Sequence, residues 1–357
     1  MPPKAASKKR PRAESGAAET GPAPIKFLSP GLKPDTRLMV FEQEFHVHST
    51  ILKLHSNYFR QFLDSPDKTG APASALFQYE YVSVVDEDGT WALESTEKAT
   101  IVSGRSIAKG TTPTTETEAF RKLLCAMYNR PYEIGASHEL MAVTRLADFY
   151  CALPIVSATL TGALLGSPMF KIGEHGLYDF PEIAPALIFQ AQKLRHRVLF
   201  RECFIHVVSN WANMSPDHKK IKSDPVITPL VKDGYIKLCK DVLDVSQRIL
   251  YCAARSPPDR RWQPPDFEDM YLVAPEQNAV YYRSLERYFD DTHDWDRLKL
   301  YSGMKDLRIA VYNLLKNNLV LDQTGSRGPG YDTYTWQLLC SDIADDDMPW
   351  DASQTDW

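Results

Sequence analysis

The sequence predicts an α+β protein: a mixed sheet flanked by helices, followed by a mainly α-helical C-terminal region. Three observations predict it. Four short segments between residues 35 and 94 alternate apolar and polar side chains, the period of a strand. The runs between and after them repeat apolar residues every three or four positions, the period of a helix. From about residue 186 onward the helical period dominates, broken by SPPDRRWQPPDFED, whose two Pro-Pro pairs preclude helix.

With 357 residues, 43% of them hydrophobic, the chain can bury a sizeable core, in one domain or two. A net charge of −5 gives no overall basic face, so direct nucleic-acid binding is not expected. No run approaches the roughly 20 apolar residues of a membrane helix, and MPPKAASKKRPR lacks the apolar core of a secretory signal. The six cysteines are scattered, without a CxxC pair, and most lie in apolar runs; they read as reduced core thiols.

The elements follow in order. Residues 1–34, rich in Pro, Ala, Gly and Lys, are expected to form a disordered basic tail. Residues 35–165 make the first domain. Asp35–Phe41 reads as a strand; Glu44–His48 is a second, joined to it by a tight turn, with Phe45 and Val47 on one face and His46 and His48 on the other. Ile51, Leu52, Tyr58, Phe59 and Phe62 then follow at helical spacing, with Ser56 able to cap the second of two short helices. Phe77–Val85 and Thr90–Glu94 form a hairpin around the Asp86-Glu87-Asp88-Gly89 turn. Thr115–Glu118 reads as a capping box before a helix over Ala119–Tyr128, and Leu140–Tyr150 and Ile155–Leu165 are further helices. Residues 166–322 are the mainly helical region, with Pro185 suited to a first helical turn and candidate helices over Val242–Ala254, Glu276–Phe289 and Leu298–Leu319. Residues 323–357 are expected to be a flexible acidic tail: its last 17 residues hold six aspartates and no Lys or Arg. There is no internal repeat, which argues against a solenoid or propeller.

The ordered blocks Asp35, hairpin, Phe45-x-x-His48-x-x-x-Leu52-x-x-x-Ser56-x-Tyr58-Phe59, then Phe120-x-x-Leu123-Leu124-x-x-x-Tyr128 and Ala147-Asp148-x-Tyr150 with Leu153-Pro154, resemble a BTB/POZ domain. The resemblance covers roughly residues 35–165. The hairpin and loop at about 77–115 look like an insertion, similar to those of BTB proteins of filamentous fungi.

This resemblance implies a protein–protein interaction module that forms a homodimer through its first helical layer. It places Asp35, Ile51, Leu52, Leu54, Tyr58 and Phe59 at the dimer or partner interface. Leu54 lies off the stripe of Leu52, Phe59 and Phe62 and is expected to face outward. In the family, the position after His48 is often basic; here it is Ser49, so the charge balance around Asp35 differs. Partners would be a second copy and other proteins. Two roles stay open: a nuclear scaffold, or a substrate adaptor of a cullin-type ubiquitin ligase whose helical half binds the substrate.

Chemistry is not expected. His46, His48 and His55 fall short of the four ligands of structural zinc, and no Cys or acidic cluster completes the set, so they read as scaffold. No GxSxG, Walker loop, HExxH or GxGxxG occurs. The expectation is therefore no catalytic residues, metal, cofactor or small-molecule substrate. Lys8, Lys9, Arg10 and Arg12 match a short basic nuclear localisation signal, placing the protein in the nucleus, alone or together with the cytoplasm.

Overall fold

The computed structural model describes residues 22–65, 76–95, 106–170, 180–215, 219–256, 262, 279–290, 299, 301–322, 337–351, 353–354 and 357. Two compact units emerge, Met1–Ser49 with Pro66–Pro113, and Thr50–Ser65 with Thr114–Trp357.

The first unit holds a five-stranded mixed sheet of order β1-β3-β2-β4-β5. Its strands are β1 (Ile25–Lys26), β2 (Thr36–Val40), β3 (Gln43–Val47), β4 (Tyr79–Val85) and β5 (Trp91–Ser95). β2 and β3 are antiparallel, with Leu38 opposite Phe45 and Thr36 opposite Val47. That register puts Thr36, Leu38, Val40, Phe45 and Val47 on one face, and all five are fully buried. The expected pairing of Phe45 with Val47 on a single face is what the strand adopts. The β2–β3 turn is two residues long, with Phe41 in the left-handed region at φ 53°. Its N–H donates to Ser83 Oγ at 2.7 Å, and its ring meets Trp91 edge-on.

The Asp86–Gly89 turn joins β4 to β5 as the sequence predicts. The Gly89 N–H donates to the Asp86 carbonyl at 3.1 Å, and Asp88 Oδ1 accepts from the Thr90 N–H and hydroxyl. Glycine is required here: φ is +82°, and a Cβ would lie 2.7 Å from the Ala108 nitrogen.

The sheet begins earlier than residue 35. Ile25 and Lys26 pair in parallel with Phe45 and His46, the Phe27 N–H donates to the His46 carbonyl, and the Phe27 ring is buried beside Phe45. The expected tail of residues 1–34 therefore ends before Ile25. Its Pro- and Gly-rich composition concealed a two-residue strand that is stabilised by pairing rather than by propensity. β4 pairs in parallel with β2, so it extends the central sheet rather than standing outside it.

In the second unit, most of α1 (Ser49–His55) is followed by α2 (Asn57–Leu63). Ser56 caps α2 as predicted, its Oγ accepting the Phe59 N–H at 3.0 Å while the hydroxyl donates to the Tyr150 carbonyl. The Phe59 ring stacks on Tyr150 at 5.1 Å, both buried. α3 (Pro113–Met127), α4 (Ser137–Phe149) and α5 (Leu153–Leu164) follow. α3 starts at Pro113, ahead of the expected capping box; Pro suits a first helical position. Glu116 is thereby inside the helix, buried and paired with Arg145 on α4.

The helical region continues with α6 (Phe180–Lys193), α7 (Arg197–Ser209), α8 (Lys219–Ser223), α9 (Ile227–Arg255), α10 (Ala279–Asp290) and α11 (Met304–Leu314). Pro185, expected in a first turn, lies within α6, whose start is set earlier by Phe180-Pro181. α9 is 29 residues long, about twice the segment the sequence predicts. Gly234, a poor helix former, masked its first half, but a methyl there would lie 2.7 Å from Phe204 Cζ: the glycine admits the ring of α7.

α7 gathers the later chain. Buried Glu202 accepts three backbone N–H groups, from Val320 at 2.8 Å, Leu321 at 3.1 Å and Asp322 at 2.9 Å. His206 Nδ1 lies 3.3 Å from Gln337 Oε1. Arg201 donates to the Ile343 carbonyl at 3.1 Å and to Asp345 at 2.8 Å, and Phe200 meets Trp350 edge-on. The acidic end is thus not a tail where it is described: Leu338, Leu339, Ile343 and Met348 are buried, and its aspartates supply the partners of α7 arginines.

Candidate interaction surface

The histidines of the opening strand divide by face. On β2 and β3 the face opposite the apolar one carries Arg37, Glu44 and His46. Arg37 Nε lies 2.9 Å from Glu44 and His46 Nε2 lies 2.5 Å from the same carboxylate, with Glu80 3.8 Å from Arg37. Burial pushes the Glu44 carboxyl up, but the hydrogen bonds from Arg37 and His46 outweigh it and hold the group below the usual range. The His46 ring also packs on Phe77. His48 stands past the end of β3, buried, with Nε2 3.3 Å from the Leu32 carbonyl. His55 ends α1. Among the described residues no three His, Cys, Asp or Glu side chains converge as a ligand set, and no described helix is long and apolar enough to cross a membrane.

Asp35 is committed locally. Its Oδ1 accepts the Ser49 N–H at 2.7 Å, its Oδ2 the Ser49 hydroxyl at 2.6 Å, and Thr36 donates to Oδ1 at 2.9 Å. It thereby caps the start of α1, whose first N–H groups have no helical acceptor. Ser49 is what permits this; a lysine there would keep the N–H but lose the hydroxyl.

The remaining expected interface residues separate by exposure. Leu52 and Phe59 are fully buried and hold the fold. Ile51 and Tyr58 are half-buried. Leu54 is 67% exposed, as its position off the stripe predicts. Two residues not placed at the interface from the sequence join them. Phe62 stacks on Tyr58 at 5.0 Å, and exposed Phe149 on α4 lies 5.6 Å from Tyr58. Phe149 sits beside buried Tyr150 at the end of α4 and turns outward, 44% exposed. Lys53 pairs with Asp64 and Arg60 donates to the Lys53 carbonyl, fixing α1 against α2.

Residues 26–83 match the family model of the BTB/POZ domain. This segment is a BTB/POZ domain. The match starts within β1 and ends within β4. The helical blocks at Ala119–Tyr128 and Leu140–Pro154 lie beyond the match. No curated protein and no solved structure matches the chain. As a BTB/POZ domain, the segment is a protein–protein interaction module.

Two buried thiols of the helical region are held protonated. Burial pushes the Cys203 thiol well up and that of Cys340 up to about 12, so neither is a thiolate near neutral pH. A cleft between α9 and α11 is lined by Lys237, Asp241, Asp244, Arg248 and Asp306, with Arg248 paired to Asp244 at 2.6 Å. Cys340 also lines it, and burial keeps that thiol protonated.

Proposed function

We propose that the protein is a non-enzymatic scaffold that pairs with a second copy through the α1–α2 layer of its BTB/POZ domain. The observation that supports this is Leu54. It is a large apolar side chain 67% exposed on a helix whose neighbours Leu52 and Phe59 are already fully buried. Such a residue adds nothing to the fold, and pairing removes it from water. A two-fold arrangement lets one patch serve both chains.

Light scattering at about ten micromolar tests it. The wild-type chain is expected as a dimer. Leu54→Asp buries a charge in a dry interface, which costs several kcal/mol, on the order of a 100-fold loss of affinity or more. The expected product is a folded monomer with an unchanged circular dichroism spectrum. A monomeric wild type removes the reading.

The scaffold acts in the nucleus, directed by Lys8, Lys9, Arg10 and Arg12, which lie outside the described residues. Converting all four to Ala is expected to abolish nuclear accumulation of the tagged chain. An unchanged nuclear signal assigns targeting elsewhere. Recovery of a stoichiometric cullin with the tagged protein would replace the scaffold role by that of a ligase adaptor.

A further inference from the structure

The outward face of α9 carries Ile236, Leu243 and Leu250, seven residues apart and 50%, 57% and 69% exposed. They span about 21 Å of helix and drift only ~20° per heptad, so they form one straight seam. Lys240, Gln247 and Ala254 alternate with them, four residues after each. The opposite face is consumed by the fold: Leu238, Val242, Val245, Ile249 and Cys252 are buried. A helix with a full inner face and a second, regularly spaced apolar seam outside has the pattern of a helix that packs on another helix.

We propose that the occupant is α9 of a second copy, lying antiparallel about a two-fold axis at Leu243. The flanking charges choose both occupant and direction. With Leu243 at the centre, Ile236 faces Leu250 of the second copy. Asp244, held on one side by Arg248 of its own helix, then comes alongside Lys240 of the second copy, and Asp233 alongside its Arg255; the axis repeats each pair. A parallel pairing would instead set Lys232, near the seam line, beside its own counterpart, like charge on like charge. Antiparallel helices also oppose their dipoles. The seam is made by three side chains, so this pairing appears at high concentration.

The inference stands independently of the α1–α2 reading, and the full-length Leu54→Asp chain separates them. Sedimentation of that chain from ten to several hundred micromolar is expected to show a monomer passing to a dimer. Adding Leu243→Asp shifts the midpoint at least tenfold, with the thermal melt unchanged because Leu243 is exposed. Direction is read by oxidative cross-linking. Ile236→Cys and Leu250→Cys chains are expected to cross-link when mixed, above the wild-type background, and neither on its own. Cross-linking within each separate chain type would mean parallel pairing and overturn the proposal. So would an unchanged mass accompanied by a lowered melt in Leu243→Asp, which would mean that this same chain covers the seam. A Leu54→Asp chain still dimeric at ten micromolar, and monomeric only with Leu243→Asp, would retain this pairing and remove the α1–α2 one.

Discussion

Glu202→Ala is expected to lower the unfolding free energy by about 3–5 kcal/mol. The carboxylate is buried and is the acceptor for the N–H groups of Val320, Leu321 and Asp322. Each buried N–H left without an acceptor costs roughly 1–3 kcal/mol, and water entering the vacated volume recovers part of that. Denaturant melts measure the total. Hydrogen exchange locates it, with protection lost first at residues 320–322. Glu202→Gln should fall between, because its amide keeps one acceptor and turns an NH2 toward a donor. A loss below about 1 kcal/mol in Glu202→Ala would mean that the loop holds itself.

Acid should weaken the helical unit well above the pH at which carboxylates usually titrate. Burial lowers His196 and His206 from 6.5 to about 4. His196 Nδ1 accepts the Leu199 N–H and caps α7, while its Nε2 meets Thr161 Oγ1 at 2.9 Å. Both rings are neutral in the fold. Between pH 6.5 and 4 the unfolded chain binds protons that the folded chain refuses, so stability falls as pH falls through that window. From pH 7 to pH 5 each imidazole contributes a loss of about 2 kcal/mol. Glu202 has the opposite sign. Burial raises its carboxyl above the unfolded value despite the backbone donors, so its contribution weakens as pH rises, and it offsets part of the imidazole effect. Melts at pH 7 and pH 5 should show the net loss, and His206→Gln should shrink it by more than half. A flat profile in the wild type would mean that the rings are charged at no cost.

What the sequence disclosed follows the range of each interaction. The Ser56 cap, the Asp86–Gly89 turn, the shared face of Phe45 and Val47 and the outward Leu54 are set by residues a few positions apart, and all were readable from spacing. The BTB/POZ resemblance rested on those same local blocks. β1 was hidden because a two-residue strand carries no period of its own; its partner strand makes it. The first half of α9 was hidden because Gly234 weakens helix propensity, and only Phe204 across the helix crossing explains why a glycine stands there. Leu52 and Phe59 were placed with the interface because an apolar helical stripe looks the same whether it faces the core or a partner. The cap that Asp35 makes on Ser49 was not legible, because it skips 14 residues and has no local spacing to mark it. The roles of Glu202 and His206 had no signal at all, since a polar residue within an apolar helix becomes legible only when its distant partner is known.

The partners of α7 have a temporal consequence. Glu202 meets Val320 across 118 residues of chain, and His206 meets Gln337 across 131. At about 5–20 residues per second, a ribosome delivers the first of these some 6–24 s after Glu202 has been made. For that interval the Glu202 carboxylate and the His206 imidazole wait for their partners at residues 320–322 and 337, on a face that will be buried. The helical region therefore completes its interior after translation has passed α11, and the growing chain must keep that face hydrated until then.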